Sequence, residues 1–267
     1  MSAPKLGIVA GGGALPGLLA EACRDQGRDH FVVALKGFAD AAALGREPDA
    51  WLRLGDAGSG FAIMRDAGVA QIVMAGTVKR PKLSDLRPDL KTATFFARMA
   101  GRLLGDDGLL RVLIDEIERE GFTVVGAHEV LASLLAPTGV FGRVVPDAAA
   151  ERDIVVGKAA AHEHGRADLG QAVIVHDGKV VGRETVEGTA ALIAETGTAG
   201  AILVKMTKPQ QERRADLPTI GPDTVTQAAA AGLRGIALEA GGCLVIDLPE
   251  VRARADAAGI FVVGVTP

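Results

Sequence analysis

An α/β protein in two unlike parts is the fold class this chain predicts, and three observations predict it. Short apolar runs alternate with helical patterns from residue 6 to residue 125. A stretch rich in Gly, Pro and Thr, Pro137-Thr-Gly-Val-Phe-Gly-Arg143, then breaks that rhythm. Beyond it, Asp177-Gly178 joins two strand patterns and brings antiparallel strands into the second half.

In order, Leu6–Ala10 reads as a buried strand, residues 16–26 as a helix and His30–Leu35 as the next strand. Helix and strand patterns recur at 58–67, 70–75, 106–120 and 122–125, a doubly wound order that implies a Rossmann-like parallel sheet over residues 1–133. Residues 134–146 read as a linker. Residues 147–267 read as a mixed α/β domain, with strands at 171–176, 179–183, 201–205, 236–239, 243–247 and 261–265 and a helix at 224–232. A ligand cleft is expected between the two domains.

Composition excludes several classes. The 267 residues are 48% apolar and 23% charged, which argues against disorder, and the net charge of −4 argues against a nucleic-acid partner. Cys23 and Cys243 form no Cys-x-x-Cys pair, so a reducing compartment is expected. No apolar run is long enough to span a bilayer, and the opening run is too short for a signal peptide. The cytoplasm is the expected location, with peripheral contact to the inner membrane.

Candidate chemistry gathers on loops beyond strand ends. Gly11-Gly12-Gly13-Ala14 joins the first strand to the first helix, where bare N–H groups can face a phosphate, although its spacing is neither a Walker loop nor a dinucleotide fingerprint. Lys79 and Arg80 follow an apolar strand and suit a pyrophosphate. Asp106 and Asp107 open a helix, where capping competes with metal binding. Thr189, in Glu187-Gly-Thr189, precedes another helix and can cap it or present a hydroxyl to a phosphate. From Lys205 to Asp223 the chain collects Lys205, Lys208, Glu212, Arg213, Arg214, Asp216 and Asp223 on one connection, where a solvated loop is the plain alternative. His162 and His164 are two apart on a helical pattern and share no face; His128 beside Glu129 is the histidine to watch. No serine sits in a nucleophile elbow.

Taken together and in order, six segments resemble one family. They are Gly11-Gly-Gly-Ala-Leu-Pro16, Ala75-Gly-Thr-Val-Lys-Arg-Pro81, Gly105-Asp-Asp-Gly-Leu-Leu110, Gly126-Ala-His-Glu129, Glu187-Gly-Thr189, and the run from Lys208-Pro to Asp-Leu-Pro-Thr-Ile-Gly221. The family is the UDP-2,3-diacylglucosamine pyrophosphatases of lipid A biosynthesis. The resemblance implies hydrolysis of UDP-2,3-diacylglucosamine to UMP and 2,3-diacylglucosamine 1-phosphate, dependence on Mg²⁺ or Mn²⁺, and a homodimer. It implies a catalytic Asp223, which is also the candidate metal ligand. Substrate contacts are expected from Gly11, Gly12, Gly13, Ala14, Lys79, Arg80, Asp106, Asp107, Gln171, Thr189, Lys208, Gln211, Arg213 and Thr219. Lys79, Arg80, Lys208 and Arg213 are expected to neutralise the diphosphate. Where the family often has Asp after Glu-Gly-Thr, this chain has Ala190, so that carboxylate's role falls to Glu187, Asp223 or solvent. Two rivals stand beside this reading. A sugar-nucleotide-binding protein would use the cleft without catalysis, and an NAD(P)-linked oxidoreductase would explain the first glycine loop but not its spacing.

Overall fold

The computed structural model describes residues 3–78, 89, 92–94 and 106–267, with the side chains of 106 and 107 excepted. The chain divides into two compact units, Met1–Ala132 with Glu212–Ala215, and Ser133–Gln211 with Asp216–Pro267.

The first unit is built on a five-stranded parallel sheet of order β3-β2-β1-β4-β5, from β1 (Leu6–Ala10), β2 (His30–Leu35), β3 (Ala50–Leu52), β4 (Gln71–Ala75) and β5 (Thr123–Val124). β1 is almost wholly apolar because it runs between β2 and β4 and is covered on both faces. Helix α1 (Leu15–Asp25) follows it. Pro16 fits the first helical turn, where no intrahelical N–H bond is lost, and Pro16, Leu19, Ala20 and Cys23 fall on one buried stripe. After the short α2 (Ala41–Leu44), helices α3 (Ala57–Asp66) and α4 (Asp106–Arg119) cover one sheet face, where Phe61, Met64, Ile114 and Ile117 pack with Val33, Ile72, Phe122 and Val124. The single turn α5 (Ala127–Val130) closes this part.

The second unit carries a six-stranded mixed sheet of order β6-β13-β11-β9-β7-β8. Its centre is parallel: β9 (Ile202–Lys205), β11 (Gly235–Glu239) and β13 (Phe261–Val265). β7 (Ala172–His176) runs antiparallel to β9, and β8 (Lys179–Arg183) returns antiparallel beside β7. The turn between them has Asp177 at φ 48° and Gly178 at φ 73°, the paired positive angles expected of Asp-Gly. Residues 134–146 contribute β6 (Gly139–Val140), antiparallel to β13, and the buried Phe141. Helix α6 (Ala148–Arg166) covers one face through Ala150, Ile154 and Ala161 against Val173, Val175, Ile202 and Val204. Helices α7 (Gly188–Thr196), α8 (Pro222–Ala230) and α9 (Leu248–Ala258) cover the other through Leu192, Ile193, Val225, Ala228 and Val251 against Ile174, Leu203, Ile236 and Leu238.

One strand departs from expectation. Residues 243–247 were expected to form a strand of this domain, but only β12 (Leu244–Val245) is strand, and it pairs in parallel with β10 (Thr219–Ile220) in a two-stranded sheet separate from the main one. Two residues suffice because Asp247, at φ 54°, turns the chain straight into α9 and caps it by accepting from Glu250 N–H at 3.1 Å.

Candidate functional site

In the first sheet, strand order reverses between β1 and β4, the position beside which doubly wound sheets bind ligands at their carboxyl edge. The two loops leaving these strands meet there. Gly11 N–H donates to Ala75 O at 2.8 Å, Gly12 N–H to Thr77 O at 2.9 Å, and Thr77 N–H returns to Gly12 O at 2.8 Å. Gly76 makes the crossing possible: it holds φ 89°, and a Cβ there would stand 2.5 Å from Gly12 O. This corrects the picture of a fully bare glycine loop. Gly11 and Gly12 spend their N–H groups on the last residue of β4 and on the loop beyond it, and Gly13 and Ala14, both exposed, keep theirs without a partner among the described residues.

Lys79 and Arg80 lie outside the described residues. Asp106 and Asp107 are the first two residues of α4, and their side chains are likewise outside the description. Arg213 is exposed, on the Glu212–Ala215 turn that belongs to the first unit. Its neighbour Arg214 donates to Glu212 Oε1 at 2.9 Å and to Glu118 Oε1 at 2.8 Å, and Ala215 packs with the α3 and α4 core. His128 sits close by. Burial, with the Arg213 charge and against that of Glu129, pushes its imidazole below the ordinary histidine range, and its Nδ1 is buried without a hydrogen-bond partner among the described residues.

In the second unit the carboxyl edge of β9 holds buried polar side chains. Alternation along β9 puts Lys205 on the same face as Leu203, the face that α7 covers. Lys205 Nζ donates to Thr189 Oγ1 at 2.5 Å, and Thr189 O–H donates to Glu184 Oε1 at 2.5 Å. Glu184 Oε2 accepts from Gln171 N–H at 2.8 Å, and the Glu184 carbonyl meets His164 Nε2 at 2.6 Å. Burial alone would raise the Glu184 carboxyl, but the Lys205 charge, the Thr189 hydroxyl, the Gln171 N–H and the His164 charge together hold it below the ordinary range. The carboxylate that engages Thr189 is therefore Glu184. Glu187, one of the groups to which the role of the carboxylate missing at Ala190 was expected to fall, is exposed. Gln171 lends its backbone to this network, and its Oε1 is buried without a hydrogen-bond partner among the described residues.

Other predicted residues serve the loop itself. Lys208 Nζ is paired with Asp168 Oδ1 at 2.8 Å, and Lys208 N–H donates to Gln211 Oε1 at 3.0 Å. Gln211 Nε2 reaches back to Asp216 Oδ2 at 2.7 Å, closing the bend. Thr219, exposed, donates to Leu217 O at 3.0 Å. The charged run from Lys205 to Asp223 is thus no solvated loop, since Lys205, Met206, Thr207, Leu217, Pro218 and Ile220 along it are buried. Asp223 lies in the first turn of α8 with its side chain 92% exposed, 3.3 Å from Arg254 Nη1.

Of the polar residues here, Glu184 was not singled out by the sequence reading, Lys205 entered only as the start of the charged run, and His164 only as a histidine sharing no face with His162. The signals for the pairing of Lys205 with Glu184 were a lysine closing the apolar run Ile202-Leu-Val-Lys205 and a glutamate directly after β8. Among the described residues no group of three or more His, Cys, Asp or Glu could hold a metal ion, and no helix is long and apolar enough to cross a membrane.

Comparison with known proteins supplies the family. A model described as the LpxI N-terminal domain matches residues 5–134, and one described as the LpxI C-terminal domain matches residues 137–263. The UDP-2,3-diacylglucosamine pyrophosphatase LpxI of Caulobacter vibrioides is 42% identical over 275 residues, covering 98% of this chain and 98% of its own. With both family domains present in order and a relative of this closeness matched nearly end to end, the chain belongs to the LpxI family.

Proposed function

We propose that this protein hydrolyses the pyrophosphate bond of UDP-2,3-diacylglucosamine, releasing UMP and 2,3-diacylglucosamine 1-phosphate for lipid A biosynthesis, in the cytoplasm at the inner membrane surface. The observation that carries this is the 42% identity to the Caulobacter pyrophosphatase over 98% of both chains. Asp223 is the proposed catalytic carboxylate. Its exposure leaves it open to water and to a bound diphosphate, and its place in the first turn of α8 sets it at the positive end of the helix dipole, which favours negative charge.

The donor set suits a cation that arrives with its substrate. Mg²⁺ keeps several waters and is commonly held by one or two carboxylates together with substrate phosphates, so Asp223 with the diphosphate is enough where no multi-carboxylate cage exists among the described residues. Bound there, Mg²⁺ or Mn²⁺ would neutralise phosphate oxygens as the pyrophosphate bond breaks. Asp223 orients the attacking water in this reading, and in the first unit the Gly13 and Ala14 N–H groups, without a partner among the described residues, are donors suited to phosphate oxygens. In the second unit Lys208 is a donor to phosphate only if its pair with Asp168 opens. The protein works as a homodimer in this reading.

The test is UMP release from UDP-2,3-diacylglucosamine with Mg²⁺, with Mn²⁺ and with chelator, for wild type, Asp223→Ala and Asp223→Asn. Release should need the metal, and both variants should lose at least about 100-fold in kcat. Residual turnover above about a hundredth of wild type would remove Asp223 from the chemistry. No release under any metal would remove the reaction.

A further inference from the structure

The buried ammonium of Lys205 has bonding capacity that the protein does not use. Lys205 is 5% exposed, and an ammonium carries three N–H donors. One donor reaches Thr189 Oγ1 at 2.5 Å; Glu184 Oε1, at 3.7 Å, gives charge balance beyond hydrogen-bond distance. Among the described residues no other acceptor meets Nζ, so two charged donors stand unspent where water scarcely reaches. Such donors are costly to leave unmet, and a ligand oxygen removes the cost.

The hydroxyl of Thr189 narrows the ligand. Its one proton goes to Glu184 Oε1, one lone pair receives Lys205, and one lone pair is left. Glu184 cannot turn away, because Gln171 N–H holds Oε2 and His164 holds its carbonyl. Thr189 is therefore an acceptor toward anything that binds, and it cannot donate to a phosphate oxygen as the sequence suggested. Glu184 also offsets the charge of Lys205, which weakens the case for an anion further. Side by side, Lys205 donates and Thr189 accepts. The group that accepts and donates through one atom is a hydroxyl.

We propose that Lys205 and Thr189 together bind a hydroxyl of the sugar nucleotide, with Glu184 setting the direction of the hydrogen bonds by holding the Thr189 proton. This rests on the substrate being UDP-2,3-diacylglucosamine, whose free hydroxyls lie on the glucosamine ring at C4 and C6 and on the ribose at C2′ and C3′. The same chemistry can come from either sugar.

Calorimetric binding to wild type, Lys205→Met, Thr189→Val and Thr189→Ser tests it. The probes are UMP with its 2′-deoxy and 3′-deoxy forms, and detergent-dispersed 2,3-diacylglucosamine 1-phosphate with its 4-deoxy and 6-deoxy forms. One deoxy probe should bind wild type and Thr189→Ser about 10- to 100-fold more weakly than its parent. That ratio should fall to near one in Lys205→Met and Thr189→Val, and the probe that shows it identifies the ribose or the glucosamine. Thr189→Val leaves the Lys205 and Glu184 charges in place and so gives a folded variant if Lys205→Met does not. A purely structural role would weaken every probe alike and leave the ratios unchanged. Unchanged ratios, or no deoxy probe weaker in wild type, overturn the subsite. Turnover by wild type, measured in parallel, reports on the reaction separately: failed hydrolysis with the predicted ratios removes the activity and keeps the subsite, and the converse removes the subsite alone.

Discussion

The two sheets finish their carboxyl edges with different materials. At the edge of the first, backbone meets backbone: Gly11, Gly12, Gly76 and Thr77 close on one another with no side chain between them. At the edge of the second, side chain meets side chain, in the buried chain from Lys205 through Thr189 to Glu184. A backbone crossing of this kind is damaged by adding an atom. A buried charge network is damaged by taking one away. The first edge is therefore sensitive to size at glycine, and the second to charge at positions where volume matters less.

Glu184→Ala should break the comparison hardest. It strands the Lys205 ammonium, only 6% exposed at its side chain, without its counter-charge, and should cost about 3–5 kcal/mol in urea unfolding. A loss below about 1 kcal/mol would mean that the pair is open to water and worth no more than a surface pair. Gly76→Ala should come next. An alanine must adopt φ 89° and place its Cβ against Gly12 O, so a loss of about 2 kcal/mol or more is expected, confined to the first unit in hydrogen exchange. Equal protection in wild type and Gly76→Ala would show that the crossing can relax.

Acid should separate the two regions by pH with smaller effect. His128 has a folded pKa below its ordinary 6.5, so its contribution is present above that value and is lost as pH falls through the lower folded pKa. Glu184 behaves in the same sense from 4.5 downward, since its folded carboxyl is also depressed. Hydrogen exchange across a pH series should thus show the first unit loosening before the second. His128→Asn should remove the first step and Glu184→Gln the second; simultaneous loosening of both units in wild type would refute the assignment.

Much of the fold was legible because local patterns carried it. Leu6–Ala10 and His30–Leu35 are strands at the expected residues, and the Asp177-Gly178 turn has the positive φ angles its residue types favour. The loop from Lys205 to Asp223 was visible as a concentration of charge, but which of its charges are free was not. Lys208 and Lys205 look alike in sequence. One turned out to be tied to Asp168, forty positions away, and the other to Thr189 on a helix packed over its strand. The carboxylate that accepts from Thr189 was not legible either, because Glu184 is brought to it by the end of β8 beside Gln171.

The amino-acid sequence by itself determined the alternation of strands and helices, the antiparallel hairpin, the glycines at the β1 and β4 loops and the family motifs. These depend on side-chain period, on φ preference and on residues close together in the chain. Tertiary structure alone decided that Gly11 and Gly12 spend their N–H groups on Ala75 and Thr77, that β12 leaves the main sheet, and that Lys205 is buried with donors to spare. Hydrogen-bond capacity is consumed by whichever partners the packed chain brings within about 3 Å, and that distance is set by contacts between residues far apart in sequence.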